Sequence, residues 1–394
     1  MKYYPRAITS IFHSCLQQFP SVLLTGPRQS GKSTFLQQQA IGQYVTFDDP
    51  LQRDFALNDP NSFLEQAEEK PLILDEIQYV PEILQYIKIQ IDLNRNLGKW
   101  IMTGSQQFHL MTNITETLAG RIALLDLYPF AVKELGDLNK TLEDILWEGM
   151  YPEPACEPQK QEIWLRSYLQ TYLERDIRQM EALRNFRAFE MFIQLCAARH
   201  AQEFHAAFLA RECGVSQPTI QAWSKLLESS FLAIFLPPFF KNYGKRIIKT
   251  PKFYFVDPSI VAYLTRQPAK GSLLTGNMGG ALFEGLIISE IWKTFANCGK
   301  RPTAYFWRSQ SGLEVDVLIQ AKGKLWPVEI KLTATPSMAH LRPIQQFLAL
   351  AEDEGGNHGI LVCRVEKITK LPGNHIAIPW FAFSEWLETI IDNK

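Results

Sequence analysis

Three groups of residues in this chain have the types and spacing that chemistry requires. The first is Gly26-Pro27-Arg28-Gln29-Ser30-Gly31-Lys32-Ser33-Thr34. Gly26, four residues, Gly31, Lys32 and Ser33 satisfy the phosphate-loop pattern. Glycines let successive N–H groups turn toward one centre, and a following helix adds the positive end of its dipole. Lys32 then supplies a mobile charge for the β- and γ-phosphates of ATP, and the Ser33 hydroxyl a ligand for Mg²⁺. The second group is Asp75-Glu76, closing the apolar run Pro71–Leu74. Beside a phosphate loop, Asp75 would hold the Mg²⁺ shell and Glu76 would orient and deprotonate the attacking water. The third group lies far downstream. Asp316 falls in Gly312–Gln320, and Glu329 and Lys331 fall in Leu325–Leu332. Two carboxylates and a lysine on neighbouring strands would hold Mg²⁺ and polarise a water.

Further candidates adjoin the first two groups. Trp100–Ser105 ends in small polar residues, and Thr103, Ser105 and Gln106 would reach the γ-phosphate or its water. The same stretch also reads as a simple strand-to-loop turn. Arg121 follows Leu118-Ala119-Gly120. It would either neutralise transition-state charge, in cis or in trans, or form a surface ion pair.

The elements that must position these residues follow from periodicity and punctuation. Ser21–Leu24 and Phe35–Ala40 flank the glycine-rich turn as strand and helix. Tyr3–Pro20 carries Ile8, Ile11, Phe12, Leu16 and Phe19 at helical spacing. Strands are expected at Tyr44–Phe47, Pro71–Leu74, Trp100–Ser105 and Ile122–Leu127, with a helix over Leu51–Glu69. Pro129, Pro152, Pro154 and Pro158 mark a boundary and linker. Gln159–Leu183 then reads as helix with one buried face. Ala206–Cys213, Gly214-Val215-Ser216 and Gln217–Ser229 read as helix, tight turn, helix, which with strands Leu232–Leu236 and Lys252–Val256 is a winged-helix pattern. The loop between those strands holds Lys241, Lys245, Arg246 and Lys249, with Lys252 at its end. It suits a DNA-contacting wing. The second helix, with Lys225 against Glu228, suits protein docking instead. In the C-terminal third, Gly280–Phe295 is an apolar helix carrying Glu284. Strands follow at Tyr305–Arg308, Gly312–Gln320 and Leu325–Leu332, the last two joined by Lys322-Gly323-Lys324. Glu329 and Lys331 then share a face.

At 394 residues, 46% hydrophobic and 21% charged, the composition is that of a globular protein of two or three domains, and a net charge of −1 leaves any basic surface local. Six scattered cysteines, without a C-x-x-C pair, point to reduced thiols in a cytoplasm. The longest apolar run, Phe231–Phe240, is broken by Pro237-Pro238 and is too short to span a bilayer, so no membrane partner is expected.

GPRQSGKST, LILDEIQ, WIMTGSQ and LAGR followed by YPF resemble the ATPase domain of the prokaryotic AAA-like (AAA_14) proteins that carry a C-terminal DUF4143 region. Gly149-Met150-Tyr151-Pro152, the stretch Tyr168–Asp176 and the EVD…EIK segment continue the resemblance, which covers most of the chain. Ser30 stands where Val is common and Ser33 where Thr is common. Asp257-Pro258-Ser259 replaces a more usual Asp-Thr-Gly. Asp316, Glu329, Lys331 and Glu284 are similar to the active-site set of the PD-(D/E)xK nucleases.

The fold expected is therefore α/β: a P-loop NTPase domain with a parallel sheet at 1–135, a helical linker region at 136–195, a winged-helix region at 196–268, and a restriction-endonuclease-like α/β domain at 269–394. The resemblance puts the DUF4143 region at roughly 136–335. The function expected is a Mg²⁺-dependent ATPase of the AAA/STAND-like kind. An ATP-dependent DNA endonuclease and a non-catalytic nucleotide switch scaffolding protein partners are the alternatives. Expected partners are ATP, double-stranded DNA, other proteins or a second copy of the chain.

Overall fold

Strands that are apolar along their whole length, rather than on alternate residues, require cover on both faces, and a parallel sheet provides it. In the computed structural model β1 (Ser21–Thr25), β2 (Gln43–Thr46), β3 (Leu72–Asp75), β4 (Trp100–Thr103) and β5 (Ile122–Asp126) are all parallel, in the order β2-β3-β4-β1-β5. The structure describes residues 2–66, 70–104, 117–178, 186–240, 250–309 and 311–391. They form two compact units, one of Met1–Phe130 with Ser229–Phe231 and Ala296–Lys300, the other of the remainder.

In the first unit, every residue of β1, β3 and β4 is buried. One face packs Leu23, Leu74 and Met102 against Phe47, Phe63, Ile83 and Ile87. The opposite face packs Leu24, Ile73 and Leu125 against Ile8, Phe12 and Phe35. Because all five strands run the same way, their C-terminal ends share one edge, where ligands of open α/β sheets bind. The expected Leu51–Glu69 helix is instead two helices, Pro50–Asn58 and Pro60–Glu65. Pro60 removes an N–H donor and disfavours helical geometry at Asp59, whose side chain caps the second helix through Ser62 N–H at 3.1 Å.

The second unit contains the helix Phe186–Ala198, β6 (Gln202–Glu203), helices Ala206–Cys213 and Gln217–Ser229, β7 (Ala233–Leu236) and β8 (Lys252–Phe255), the strands forming an antiparallel sheet in the order β6-β8-β7. Trp223 packs edge-on to Phe189, with ring centroids 5.0 Å apart, and fixes the angle between their helices. Lys241, Lys245, Arg246 and Lys249 lie outside the described residues. Downstream, β9 (Ala304–Arg308), β10 (Glu314–Ala321), β11 (Lys324–Ile330), β12 (Ile360–Cys363), β13 (Thr369–Leu371) and β14 (His375–Pro379) make a mixed sheet ordered β13-β14-β12-β11-β10-β9. The helices Gly279–Asn297, Met338–Ala351 and Phe383–Ile391 accompany it. The two sheets are stitched together, since the chain leaving β7 bonds β9 through Phe239 N–H to Phe306 O (2.7 Å) and Phe306 N–H to Pro237 O (3.0 Å). Among the described residues no helix is long and apolar enough to cross a membrane.

Candidate functional site

Residues 26–34 wrap the C-terminal end of β1. The turn begins at Gly26 (φ +143°), where a Cβ would lie 2.2 Å from Leu127 O, so no side chain fits. Gln29 (φ 60°) and Gly31 (φ 91°) also take positive φ, curling the backbone before the helix Lys32–Gln39. Lys32 is 5% exposed, and its ammonium donates to Gly26 O at 3.0 Å and Pro27 O at 2.8 Å. Burial lowers its pKa to about 8, against the opposing pull of Glu76 and Asp75. The buried Ser30 hydroxyl has no hydrogen-bond partner among the described residues, leaving a polar atom available inside the loop. Arg6 fastens the turn from outside. Its guanidinium donates to Ser30 O (2.8 Å) and Tyr128 O (2.6 Å), tying the loop to the chain that leaves β5.

The acid pair stands on the same edge. Asp75, 3% exposed, ends β3, and its Oδ2 accepts from Tyr44 OH at 2.5 Å while its Oδ1 accepts from the Thr103 hydroxyl. Burial first, then Asp75, raises the Tyr44 pKa. Glu76 takes φ 58°, its N–H donates to Thr103 Oγ1 at 3.1 Å, and its carboxylate accepts from the Gln78 amide. Thr103 thus links both acids, because β4 is inserted between β1 and β3. Lys32 lies within electrostatic reach of both Glu76 and Asp75, and Thr103 bonds to both acids. Ser105 and Gln106 lie outside the described residues.

Arg121 does not reach this edge. It precedes β5, whose Ile122 aligns with Ser21 at the start of β1, so it sits at the opposite end of a parallel strand from the loop. There it donates to Asp92 Oδ1 at 2.7 Å as a half-exposed ion pair. A cis role on phosphate is thereby corrected: one strand length separates the guanidinium from the loop. Tyr44, Arg6 and Asp126, which accepts from Thr25 Oγ1 at 2.5 Å, escaped the sequence reading. Tyr44 alone carried a signal, as the aromatic within the strand preceding Asp48-Asp49.

In the second unit, the β10–β11 ladder begins with Val317 opposite Val328, and Asp316 and Glu329 are the residues next outward on each strand. Like charges so placed repel, and Lys331 compensates by bridging Asp316 Oδ2 (2.8 Å) and Glu329 Oε1 (2.7 Å). Asp316 Oδ2 also accepts from Ile330 N–H at 2.8 Å. Glu329 is 3% exposed, its Oε2 has no hydrogen-bond partner among the described residues, and burial followed by Asp316 pushes its pKa up to about 8. Glu284 joins from the helix Gly279–Asn297, its Oε1 accepting from Tyr254 OH (2.6 Å) and Lys252 Nζ (3.1 Å). Burial and then Asp316 raise its pKa too. The four residues Glu284, Asp316, Glu329 and Lys331 therefore gather at one place. Among the described residues no three acidic, histidine or cysteine side chains are grouped to hold a metal ion.

A parallel sheet with a phosphate loop closing one strand, an acid pair closing another and a hydroxyl strand inserted between them defines a P-loop NTPase domain. The AAA domain model matches residues 18–136, and the models of two domains of unknown function, DUF8612 and DUF4143, match 139–271 and 279–383. An uncharacterized protein of Mycobacterium tuberculosis, Rv2008c, is 30% identical over 331 residues, spanning 82% of this chain and 73% of its own length. Mb2031c of Mycobacterium bovis matches to the same extent, 30% over 331 residues. The chain belongs to the family of AAA-domain proteins that carry a C-terminal DUF4143 region. Among solved structures it is similar to the Walker-type ATPase PABY2304 of Pyrococcus abyssi, at 16% identity and a TM-score of 0.42, covering 65% of this chain and 94% of that one. It is also similar to the STAND protein PH0952 of Pyrococcus horikoshii, at 10% identity and a TM-score of 0.26, covering 75% of this chain and 48% of that one.

Proposed function

We propose that the protein binds ATP at 26–34 and hydrolyses it with Mg²⁺, in the manner of AAA/STAND-like ATPases. The observation that carries this reading is the shared edge on which buried Lys32 faces Asp75, Glu76 and Thr103. Lys32 would leave the Gly26 and Pro27 carbonyls for the β- and γ-phosphates, the interaction of a P-loop lysine. Ser33 and Asp75 would hold Mg²⁺, which neutralises phosphate charge. Glu76 would orient the attacking water and accept its proton, with Thr103 fixing its backbone and Gln78 its carboxylate. Steady-state phosphate release tests this. Lys32→Ala is expected to abolish nucleotide binding with the fold intact, and Glu76→Gln to retain ATP while hydrolysis falls by about 10²-fold or more. Full turnover in Glu76→Gln would remove Glu76 from the role of base. Tight binding with negligible turnover in the wild type would favour a nucleotide switch that scaffolds protein partners. Six free thiols fit a reducing cytoplasm.

A second reading concerns the other unit. The helix–strand–helix–helix–strand–strand order over 186–255 supports a winged helix, and the convergence of Asp316, Glu329, Lys331 and Glu284 on a mixed sheet supports a PD-(D/E)xK nuclease-like domain. Asp316 and Glu329 would then hold Mg²⁺ and Lys331 would polarise the attacking water. The test is hydrolysis of ATP with and without double-stranded DNA, scored together with the integrity of that DNA in Mg²⁺. Cleavage lost in Asp316→Ala would establish the endonuclease; intact DNA under all conditions would remove it.

A further inference from the structure

Strand order sets which way a nucleotide would lie in the phosphate loop. Asp75 ends β3 and Thr103 ends β4, on one side of β1, whereas β5 flanks β1 on the other. A triphosphate whose γ-phosphate faces Glu76 and Thr103 would therefore send its ribose and base toward the chain that leaves β5. Aromatic and cationic side chains collect there. Arg6, 6% exposed, donates to Ser30 O of the loop (2.8 Å) and to Tyr128 O (2.6 Å), and its Cζ lies 5.0 Å from the centroid of the Phe130 ring. Phe130, 4% exposed, meets Tyr4 edge-on, with centroids 5.9 Å apart and ring planes at 72°. Arg6 and Phe130 thus link Tyr4 to the phosphate loop. The Tyr4 ring itself is half-buried, and the exposed Lys2 holds its ammonium over it, 5.2 Å from the centroid.

A cation–π contact made by an exposed lysine is weak, while stacking of a nucleobase on an aromatic face is stronger and indifferent to base sequence. A base arriving from the loop would therefore displace Lys2 at little cost. We propose that Tyr4 is the base platform of the nucleotide site: the adenine of ATP stacks on the Tyr4 ring in place of Lys2. Tyr4 is the residue that touches the base. Arg6 and Phe130 act through it, as positioning residues that hold the ring at a fixed place beside the loop. The inference rests on reading 26–34 as an ATP site and deepens that reading, since it adds a contact to the base where the loop contacts only phosphate.

The test is calorimetric titration of the full chain, in Mg²⁺, with a non-hydrolysable ATP analogue and with inorganic triphosphate, which has the phosphates and no base. Tyr4→Ala is expected to weaken the analogue by about ten-fold, the effect of losing one stacked base, and to leave inorganic triphosphate unchanged. Tyr4→Phe, which keeps the ring, is expected to bind both as wild type does. Should Tyr4→Ala fold poorly, Tyr4→Trp keeps a stacking face, and its added fluorescence is expected to be quenched by the analogue and not by inorganic triphosphate. Equal losses for both ligands in Tyr4→Ala, no loss for either, or no selective quench in Tyr4→Trp would overturn the platform while leaving the phosphate site standing. Binding of neither ligand by wild type would overturn the phosphate site and the platform together.

Discussion

Tyr44 shows how a single side chain can bear on the edge beside the phosphate loop without chemistry of its own. Its hydroxyl donates to Asp75 Oδ2, the carboxylate proposed above to hold Mg²⁺. A hydrogen bond to a carboxylate contributes about 1.5–3 kcal/mol, so a cation that takes Asp75 must displace a donor of that strength. Tyr44→Phe is therefore expected to tighten Mg²⁺-dependent nucleotide binding by about ten-fold, the equivalent of ~1.4 kcal/mol. Titration of a fluorescent nucleotide at varied Mg²⁺ checks this. Weaker binding in the variant would mean that Tyr44 organises Asp75 rather than competing for it. The acids Asp75 and Glu76 were legible in the sequence because they end an apolar run. Tyr44 and Arg6 were not, because each acts across chain separations of 31 and 24 residues that spacing does not encode.

At the scale of elements, His200 couples the end of one helix to a strand. It is buried after the helix Phe186–Ala198, and its Nδ1 accepts from Phe255 N–H of β8 at 3.1 Å. Burial lowers its pKa to about 3, so the folded protein keeps the imidazole neutral while the unfolded chain protonates it near 6.5. Its stabilising contribution is complete above about pH 6.5 and is lost as pH falls through the window toward 3, at ~1.4 kcal/mol per pH unit. His200→Asn preserves an acceptor for Phe255 N–H but cannot titrate. Urea denaturation at several pH values between 7 and 5 should show a pH slope shallower in the variant by that amount, and equal slopes would exclude His200 as the source. Elements themselves followed the sequence well where apolar patterning was strong, as at β1, β3, β4, β10 and β11. The Leu51–Glu69 reading went wrong at one residue, Pro60, where backbone sterics overrode helical composition.

Across the whole second unit, residues far apart in the chain are tied by a knot at Asp257. Its Oδ2 accepts from Met150 N–H (2.7 Å), and its Oδ1 accepts from Ser259 N–H (2.9 Å) and Oγ (2.6 Å). Gly149 (φ +79°) passes so close that a Cβ would meet Ser259 Oγ at 2.3 Å and Asp257 Oδ1 at 2.5 Å. The Gly149-Met150-Tyr151-Pro152 and Asp257-Pro258-Ser259 motifs are thus two halves of one structural contact. Gly149→Ala combines strained backbone with a buried clash and should destabilise the unit by about 2–4 kcal/mol, measured by chemical denaturation. A loss under ~0.5 kcal/mol would show that the knot can relax.

What the sequence alone determined is the local chemistry: a loop that curls because Gly26 and Gly31 permit it, acids that end an apolar strand, and a Glu-x-Lys that alternation puts on one face. These depend on neighbours within a few residues, where spacing and backbone geometry are enough. The tertiary structure decided which end of the sheet each residue occupies. It placed Thr103 between Asp75 and Glu76, Arg121 at the far end beside Asp92, and Lys252 among Glu284 and Glu314. Strand order, strand direction and the burial of charge against charge arise from packing of the whole chain, and no local pattern of residues carries them.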